Sequence, residues 1–249
     1  MNKISVIIIT KDEELNIRDC LESIKWAEEI IVVDSLSQDS TVNIAKEYTQ
    51  KVFMKEWMGF AEQKKYALSL ASNEWVLSID ADERVTNKLK DELLNNNLEN
   101  VDGYFILREN YFLGKKVNCC GWGSDYQLRL FKKSKTSVTN RLVHEGFTVK
   151  GKTERLHNSM THFSYRNLND AFKKINVYSS LSAKEKSLKK KVSCISAVVH
   201  PMAAFIQYYF LRGGFRDGVH GLLISLMHAA TNLLTYMKIL EIQRIKVEK

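Results

Sequence analysis

Apolar residues in the first hundred positions follow two alternating rhythms. Ile4 to Ile9 (ISVIII) and Glu29 to Asp34 (EIIVVD) are dense β-branched runs, the pattern of strands buried on both faces. Between them Ile17, Leu21 and Ile24 recur at helical spacing, and Val42, Ala45 and Tyr48 do the same after the second run. A third strand is expected around Val52 to Glu56, a helix near Ala61 to Ala71, a fourth strand over Val76 to Ile79, and a helix around Asn87 to Leu94. This β-α-β-α order implies a mostly parallel sheet with right-handed crossovers.

Beyond Asn95 to Asn100 (NNNLEN) the rhythm changes. Gly103 to Val117 and Asp125 to Lys133 alternate and are rich in aromatics, so they read as antiparallel strands joined by the segment CCGWGS. The glycines there would let backbone approach a ligand closely, with Trp122 offering a flat face to a ring. From about Leu168 the pattern is helical. A basic run, KEKSLKKK (Lys184 to Lys191), precedes an apolar and aromatic stretch that holds the only proline, Pro201, and Gly221 to Leu240 forms a second apolar helix.

The strand ends carry the chemistry. VLSIDADER, Val76 to Arg84, delivers Asp80 and Asp82 at the carboxyl end of a buried strand, where ligands of open α/β sheets bind. A hard divalent cation such as Mg2+ or Mn2+ fits two carboxylates so spaced and completes its shell with substrate phosphates. The plainer role is local: Asp82 or Thr86 would start the helix that follows. Asp34 ends the second strand, either capping the polar turn Ser35 to Thr41 or binding a base or ribose. A dinucleotide cofactor is not expected, since no G-x-G-x-x-G follows the first strand. His144 and Glu145, in LVHEGF, are polar positions in a short strand-like run, either a structural pair or additional ligands; His157 and His162 are weaker candidates.

Composition shifts attention to the C-terminal third. The 249 residues carry a net charge of +8, yet residues 165–249 hold 14 Lys or Arg against 5 Asp or Glu. A basic region beside aromatic, incompletely apolar helices fits a segment lying in a membrane interface, with packing on a second subunit as the alternative. A nucleic-acid-binding module is the reading from another class, and no recognisable base-reading element supports it. Cys20, Cys119, Cys120 and Cys194 lack zinc-ligand spacing and read as reduced cytosolic thiols. The N-terminal apolar run is too short for a signal peptide, and no run reaches about 18 uninterrupted apolar residues, so no transmembrane helix is expected.

Taken together, SVIIITKDEELNIRDCLESI, EIIVVDSLSQDST, GFAEQKKYAL, VLSIDADE, DYQLRLF and VHEG resemble the inverting family 2 glycosyltransferases of the GT-A fold. More narrowly they are similar to bacterial lipopolysaccharide inner-core β-glucosyltransferases. The resemblance implies an α/β, GT-A (Rossmann-like) mixed sheet over residues 1–165, with a nucleotide-binding half at 1–100 and an acceptor half at 101–165. A helical, membrane-associating C-terminal region would follow over 166–249. It also implies a UDP-sugar donor, UDP-glucose first, a lipid-linked acceptor such as a heptose of the lipopolysaccharide core, or another lipid-linked or capsular acceptor, and Mg2+ or Mn2+. The protein would be cytoplasmic, peripheral on the inner face of the inner membrane, and would form a homo-oligomer if its helices pack on a second subunit.

Residue by residue, the resemblance puts Thr10, Asp12, Glu14, Asp34, Lys64, Asp80 and Arg129 in the nucleotide-sugar pocket, with Asp34 on uracil and Lys64 facing the diphosphate. Asp82, with Asp80 and His144, would hold the metal. Asp125 and Glu145 compete for the base, because Ser124 precedes Asp125 where the family commonly has a Glu-Asp pair. The Q-x-x-R-W motif of processive synthases is missing, which implies addition of a single sugar.

Overall fold

A computed structural model describes the chain except residues 1, 96, 97, 99, 140–145, 166, 189, 190, 248 and 249, and gives the backbone alone for 245–247. His144 and Glu145 therefore lie outside the described residues. The chain divides into two compact units: Met1–Glu109 with the described parts of 125–162, and Asn110–Ser124 with the described residues from Phe163 onward.

The first unit begins as the sequence rhythm dictates, with β1 (Ile4–Thr10), α1 (Glu14–Ile24), β2 (Glu29–Asp34), α2 (Thr41–Lys46), β3 (Val52–Met54), α3 (Phe60–Leu70) and β4 (Trp75–Asp80). The expected third strand stops two residues early, while β4 extends one residue at each end. β1, β2 and β4 are buried almost throughout because helices cover both faces of the sheet. Ile17, Leu21 and Ile24 of α1 pack on one face with Val6, Ile8, Val32 and Leu77, and Ala67 and Leu68 of α3 cover Ile7, Ile31, Val33 and Val76 on the other.

The aspartate motif does not lead straight into a helix. Glu83–Val85 is a three-residue strand, β5, and only then comes α4 (Asn87–Asn95). Thr86 caps that helix: its Oγ1 accepts from the backbone N–H of Leu89 at 3.2 Å. Asp82 is thus not the cap. Antiparallel strands follow, β6 (Gly103–Phe112), a short β7 (Lys115–Lys116), β8 (Asp125–Lys132), then β9 (Thr136–Val138), β10 (Phe147–Val149), β11 (Thr153–Arg155) and β12 (Met160–Tyr165). β5 and β12 escape the pattern reading: one is three residues long, and the other has too few apolar positions to stand out.

The main sheet runs β3-β2-β1-β4-β8-β6-β12-β5. β3, β2, β1 and β4 are parallel, and β8 pairs antiparallel with β4 and β6. The connections turn away from β1 in one direction to β2 and β3, and in the other to β4. This reversal opens the crevice at a switch point, at the carboxyl ends of β1 and β4. Being antiparallel, β8 brings its first residue, Asp125, to that same end.

The second unit is helical, with α5 (Leu168–Ser187), α6 (Cys194–Ile206), which runs on through a π-helical turn at Gln207–Leu211, and α7 (Val219–Val247). α6 and α7 pack antiparallel, with His200 stacked on Tyr236 and Tyr208 on His228. Burial, helped by the charge of Arg212, pushes the His228 imidazole down to about 4, so it stacks neutral at physiological pH. The first turn of α7 needs glycine, since a Cβ on Gly221 would collide with the carbonyl oxygen of Gly214.

Trp122 does not present a free face. It packs edge-on to Phe112 and beside Tyr165, in a cluster with Val117, Ala171 and Ile224. No uninterrupted apolar run suggests a transmembrane helix, but length and composition alone single out one segment. Residues Cys194–Leu211 form 18 residues long and apolar enough to cross a membrane by length and composition. His200, Pro201 and Gln207 break the uninterrupted apolar run without making the helix polar.

Candidate active site

At the carboxyl end of the sheet, Thr10 stands in register with Asp34, and Ile9 with Asp80. Neighbouring strands lie about 4.8 Å apart, so adjacent strand ends deliver Thr10, Asp34 and Asp80 to one edge. Asp34 is fully buried, and its carboxylate accepts from the Ser37 backbone N–H at 2.8 Å and the Ser37 hydroxyl at 2.5 Å. Its capping role is therefore real.

The acidic turn after β1 is tied to the same loop. Asp12, at a positive φ of 53°, donates its N–H to Ser37 Oγ and accepts from the N–H of Gln38 on Oδ1. Glu14 accepts from the N–H of Ser40 at 3.1 Å and donates its own to Asp39. Two loops that line the crevice are thereby held to each other. Among the described residues, no partner meets the buried hydroxyls of Thr10 and Ser35, which lie at this edge.

The aspartate motif opens a denser network. Arg129, in the middle of β8, donates to Asp80 Oδ2 at 2.5 Å and also bonds Glu83. Glu83 is 0% exposed; it accepts from Arg108 Nη1 at 3.2 Å and from the Asp80 N–H at 2.9 Å. Arg108 in turn donates from Nε and Nη2 to Asp125 Oδ2, at 2.9 and 2.6 Å, and Gln127 donates to Asp125 Oδ1. Asp82 is buried, with His162 Nε2 3.6 Å from its Oδ2.

Burial opposes the charge on Asp80, but the cations of Arg129, Lys64 and Arg108 outweigh it and hold the carboxyl below its ordinary range. Burial likewise opposes the charge on Arg129, and Asp80 and Glu83 overcome it, raising the guanidinium further. Lys64, on α3, is 5.9 Å from the Phe147 ring and brings a cation within electrostatic reach of Asp80.

The sequence-derived set thus falls into two adjoining groups: Thr10, Asp12, Glu14 and Asp34 around the first two loops, and Asp80, Asp82, Lys64, Arg129 and Asp125 around the motif. His144 and Glu145 cannot be placed with either. The motif itself is paired within the protein, which its local sequence does not show. Arg129 pairs with Asp80 from a strand 49 residues away in sequence.

Glu83 and Arg108 join the site without being among the sequence-derived residues. Arg108 left a signal, because Tyr104, Ile106, Asn110 and Phe112 are buried at alternate positions of β6 and Arg108 falls on that buried face. Glu83 left less, having only its place inside an apolar-flanked motif.

Among the described residues no three His, Cys, Asp or Glu side chains form a metal-ligand group. Asp80 and Asp82 nevertheless supply the oxygen donors that Mg2+ or Mn2+ prefers, and such ions use one or two carboxylates with substrate phosphates. The donor chemistry fits such an ion.

A parallel nucleotide-fold half with carboxylates at its strand ends, continued by antiparallel strands, is the architecture of a GT-A glycosyltransferase. The chain belongs to glycosyl transferase family 2, whose model matches residues 5–139. An uncharacterised glycosyltransferase of Rickettsia typhi is 32% identical over 257 residues, covering 97% of this chain and 88% of the relative. The lipopolysaccharide core biosynthesis glycosyltransferase LpsC of Rhizobium meliloti is 30% identical over 254 residues, covering 98% and 94%. The crystal structure of S. aureus TarS 1-349 in complex with UDP-GlcNAc superimposes with a TM-score of 0.50 at 14% identity, over 98% of this chain and 92% of that one. That last likeness is one of fold.

Proposed function

We propose that this glycosyltransferase uses a UDP-sugar, UDP-glucose first, and adds one β-linked hexose to a heptose of a lipopolysaccharide core, on the cytoplasmic face of the membrane. The observation that carries the reading is the register of Thr10, Asp34 and Asp80 at one switch point, with Asp125 at the same sheet end. Two matches support it further: the relative LpsC is named for lipopolysaccharide core biosynthesis, and TarS, a neighbour in fold, is crystallised with UDP and UDP-GlcNAc.

In this reading the uracil and ribose lie against Asp34 and the loop that Asp12 and Glu14 hold in place. The orphaned hydroxyls of Thr10 and Ser35 are donors for the nucleotide. Lys64 faces the diphosphate. The acceptor hydroxyl attacks the anomeric carbon, its C–O bond forms as the bond to UDP breaks, and its proton passes to a carboxylate. Asp125 is assigned that role because Arg108 and Gln127 fix its orientation; Glu145 is the competitor. A single displacement inverts the anomeric centre. A divalent ion on Asp82 and Asp80, when bound, supplies charge to the departing diphosphate. Arg129, bonded through Nη2 to Asp80 and Glu83, orients the motif and keeps its guanidinium beside the pocket.

The test is UDP release from a panel of UDP-sugars, with Mg2+ or Mn2+ and heptose-terminated core, using the wild type, Asp125→Asn and Asp82→Asn. The expected result is release requiring UDP-glucose, metal and core together. Asp125→Asn should lose about 10²–10⁴-fold in turnover while retaining UDP binding, and Asp82→Asn should lose metal-dependent UDP binding as well. Metal-dependent release that responds only to another lipid-linked or capsular acceptor would discard the heptose. Full turnover in Asp125→Asn would move the base to Glu145.

A further inference from the structure

The helical unit buries the wrong face of α6 for a protein bathed only in water. Ala197 and Ala204 are its buried positions, both small, while Ile195, Val198, Val199, Met202 and Ile206 are all at least half exposed. Their spacing of three and four residues makes one continuous stripe along the helix. Phe210 and Leu211 carry it through the π-helical turn, Leu211 at 80% exposure, and Phe215 follows in the next turn. A soluble helix is expected to hide such residues, and a continuous exposed apolar stripe marks an interaction surface.

What flanks the stripe identifies its partner. Arg212 and Arg216 directly follow its C-terminal end, both exposed. Among the described residues neither has a carboxylate in ion-pair range; each guanidinium instead lies near a ring, Tyr208 or Phe215. They line an open cavity of about 450 Å³ together with Phe210, Phe215, Asn118 and Asp217. Before the helix in sequence, Lys184 and Lys186 sit in the last turn of α5 and Lys191 in the segment that leads to α6. A second copy laid on this stripe would bring the same cations together. An anionic lipid surface complements both features, with acyl chains for the stripe and phosphates for the arginines.

We propose that α6 and the turn after it lie in the plane of an anionic phospholipid bilayer, with the stripe from Ile195 to Leu211 sunk at the acyl boundary and Arg212 and Arg216 on headgroup phosphates. A helix so placed is peripheral. Its polar residues do not have to cross the hydrocarbon, and α7 covers its other side. The inference extends the proposed transfer to a lipid-linked acceptor by naming the surface on which the enzyme works, but its test needs no turnover.

The experiment is co-sedimentation of the full chain with vesicles of phosphatidylcholine, with and without phosphatidylglycerol, over a salt series. Binding should require the anionic lipid and weaken with salt. Arg216→Glu should lower partitioning at least about fivefold, as expected from roughly 1 kcal/mol per basic residue at such a surface. Ile206→Asp and Leu211→Asp should each abolish it, with melting curves unchanged because the positions are exposed. Equal binding to neutral vesicles would overturn the proposal. So would a salt-insensitive dimer that Leu211→Asp breaks, or native membranes that retain the protein through alkaline carbonate washing, which would make the helix a spanning one. UDP-sugar turnover without vesicle binding would sink this inference and leave the catalytic reading standing.

Discussion

In the sheet unit Arg108 and Arg129 are enclosed and tied to Glu83, Asp80 and Asp125, whereas Arg212 and Arg216 of the helical unit face solvent and, among the described residues, form no ion pair. Apolar residues divide the same way. Ile7, Ile8, Leu77 and Ile79 are sealed within the sheet, while Val198, Met202 and Leu211 stand exposed on α6. Interactions that one unit completes internally, the other leaves exposed. The difference teaches where selection for folding ends and selection for an external surface begins, since burying an unpaired charge is far costlier than leaving one in water.

The largest expected effect tests that contrast at one residue of each unit. Arg129→Met removes a partner from the fully buried Glu83 and from Asp80, and should cost about 3–5 kcal/mol of stability. Arg216→Ala, with no ion pair to break among the described residues, should stay within about 0.5 kcal/mol. Thermal unfolding of both variants measures this. Similar losses in the two, or none at Arg129, would break the comparison.

That asymmetry also explains what the sequence discloses. Dense β-branched runs announce β1, β2 and β4, and the acids at their ends are legible because the chain itself places them there. Arg129 and Arg108 are not legible as partners of that motif, because β8 and β6 reach it only through antiparallel pairing, which no local pattern specifies. β5 hides for another reason: three residues hold no period, so the motif reads as strand then helix. In the helical unit the apolar stripe of α6 is plain in sequence, yet its exposure is not, since the same spacing describes a core-facing helix. The small residues opposite the stripe, Ala197 and Ala204, are the clue that the large ones face outward.

Acid sharpens the comparison next. Glu29 begins β2 with a nearly buried carboxylate that accepts from Lys51, Ser5 and Ser72. Burial pushes its carboxyl up, but those donors outweigh it and hold it at about 2, against an ordinary 4.5. A depressed folded value stabilises the protein above the unfolded one and is lost as pH falls through the folded one. The contribution, on the order of 2–3 kcal/mol, should therefore be complete above about pH 4.5 and gone near pH 2. Melting midpoints of the wild type and Glu29→Gln, followed across that range, should converge at the acid end. A gap that keeps its size down to pH 2 would show that Glu29 acts by packing alone.

The smallest effect compares two helix caps. Thr86 Oγ1 accepts from the Leu89 N–H at 3.2 Å and donates to the Ser159 carbonyl at 2.8 Å, so one hydroxyl holds α4 and anchors the segment before β12. Ser193, exposed at the start of α6, accepts from the Ser196 N–H at a long 3.4 Å. Alanine at Thr86 should cost about 1–2 kcal/mol, since a half-buried carbonyl loses its donor together with the cap. Alanine at Ser193 should cost about 0.5 kcal/mol, because water replaces a weak bond at an open helix end. Differential melting of the two variants reads the difference directly. Equal costs would mean that the first turn of α6 is as firmly built as that of α4, and that the helical unit depends less on an outside surface for its order than its exposed stripe implies.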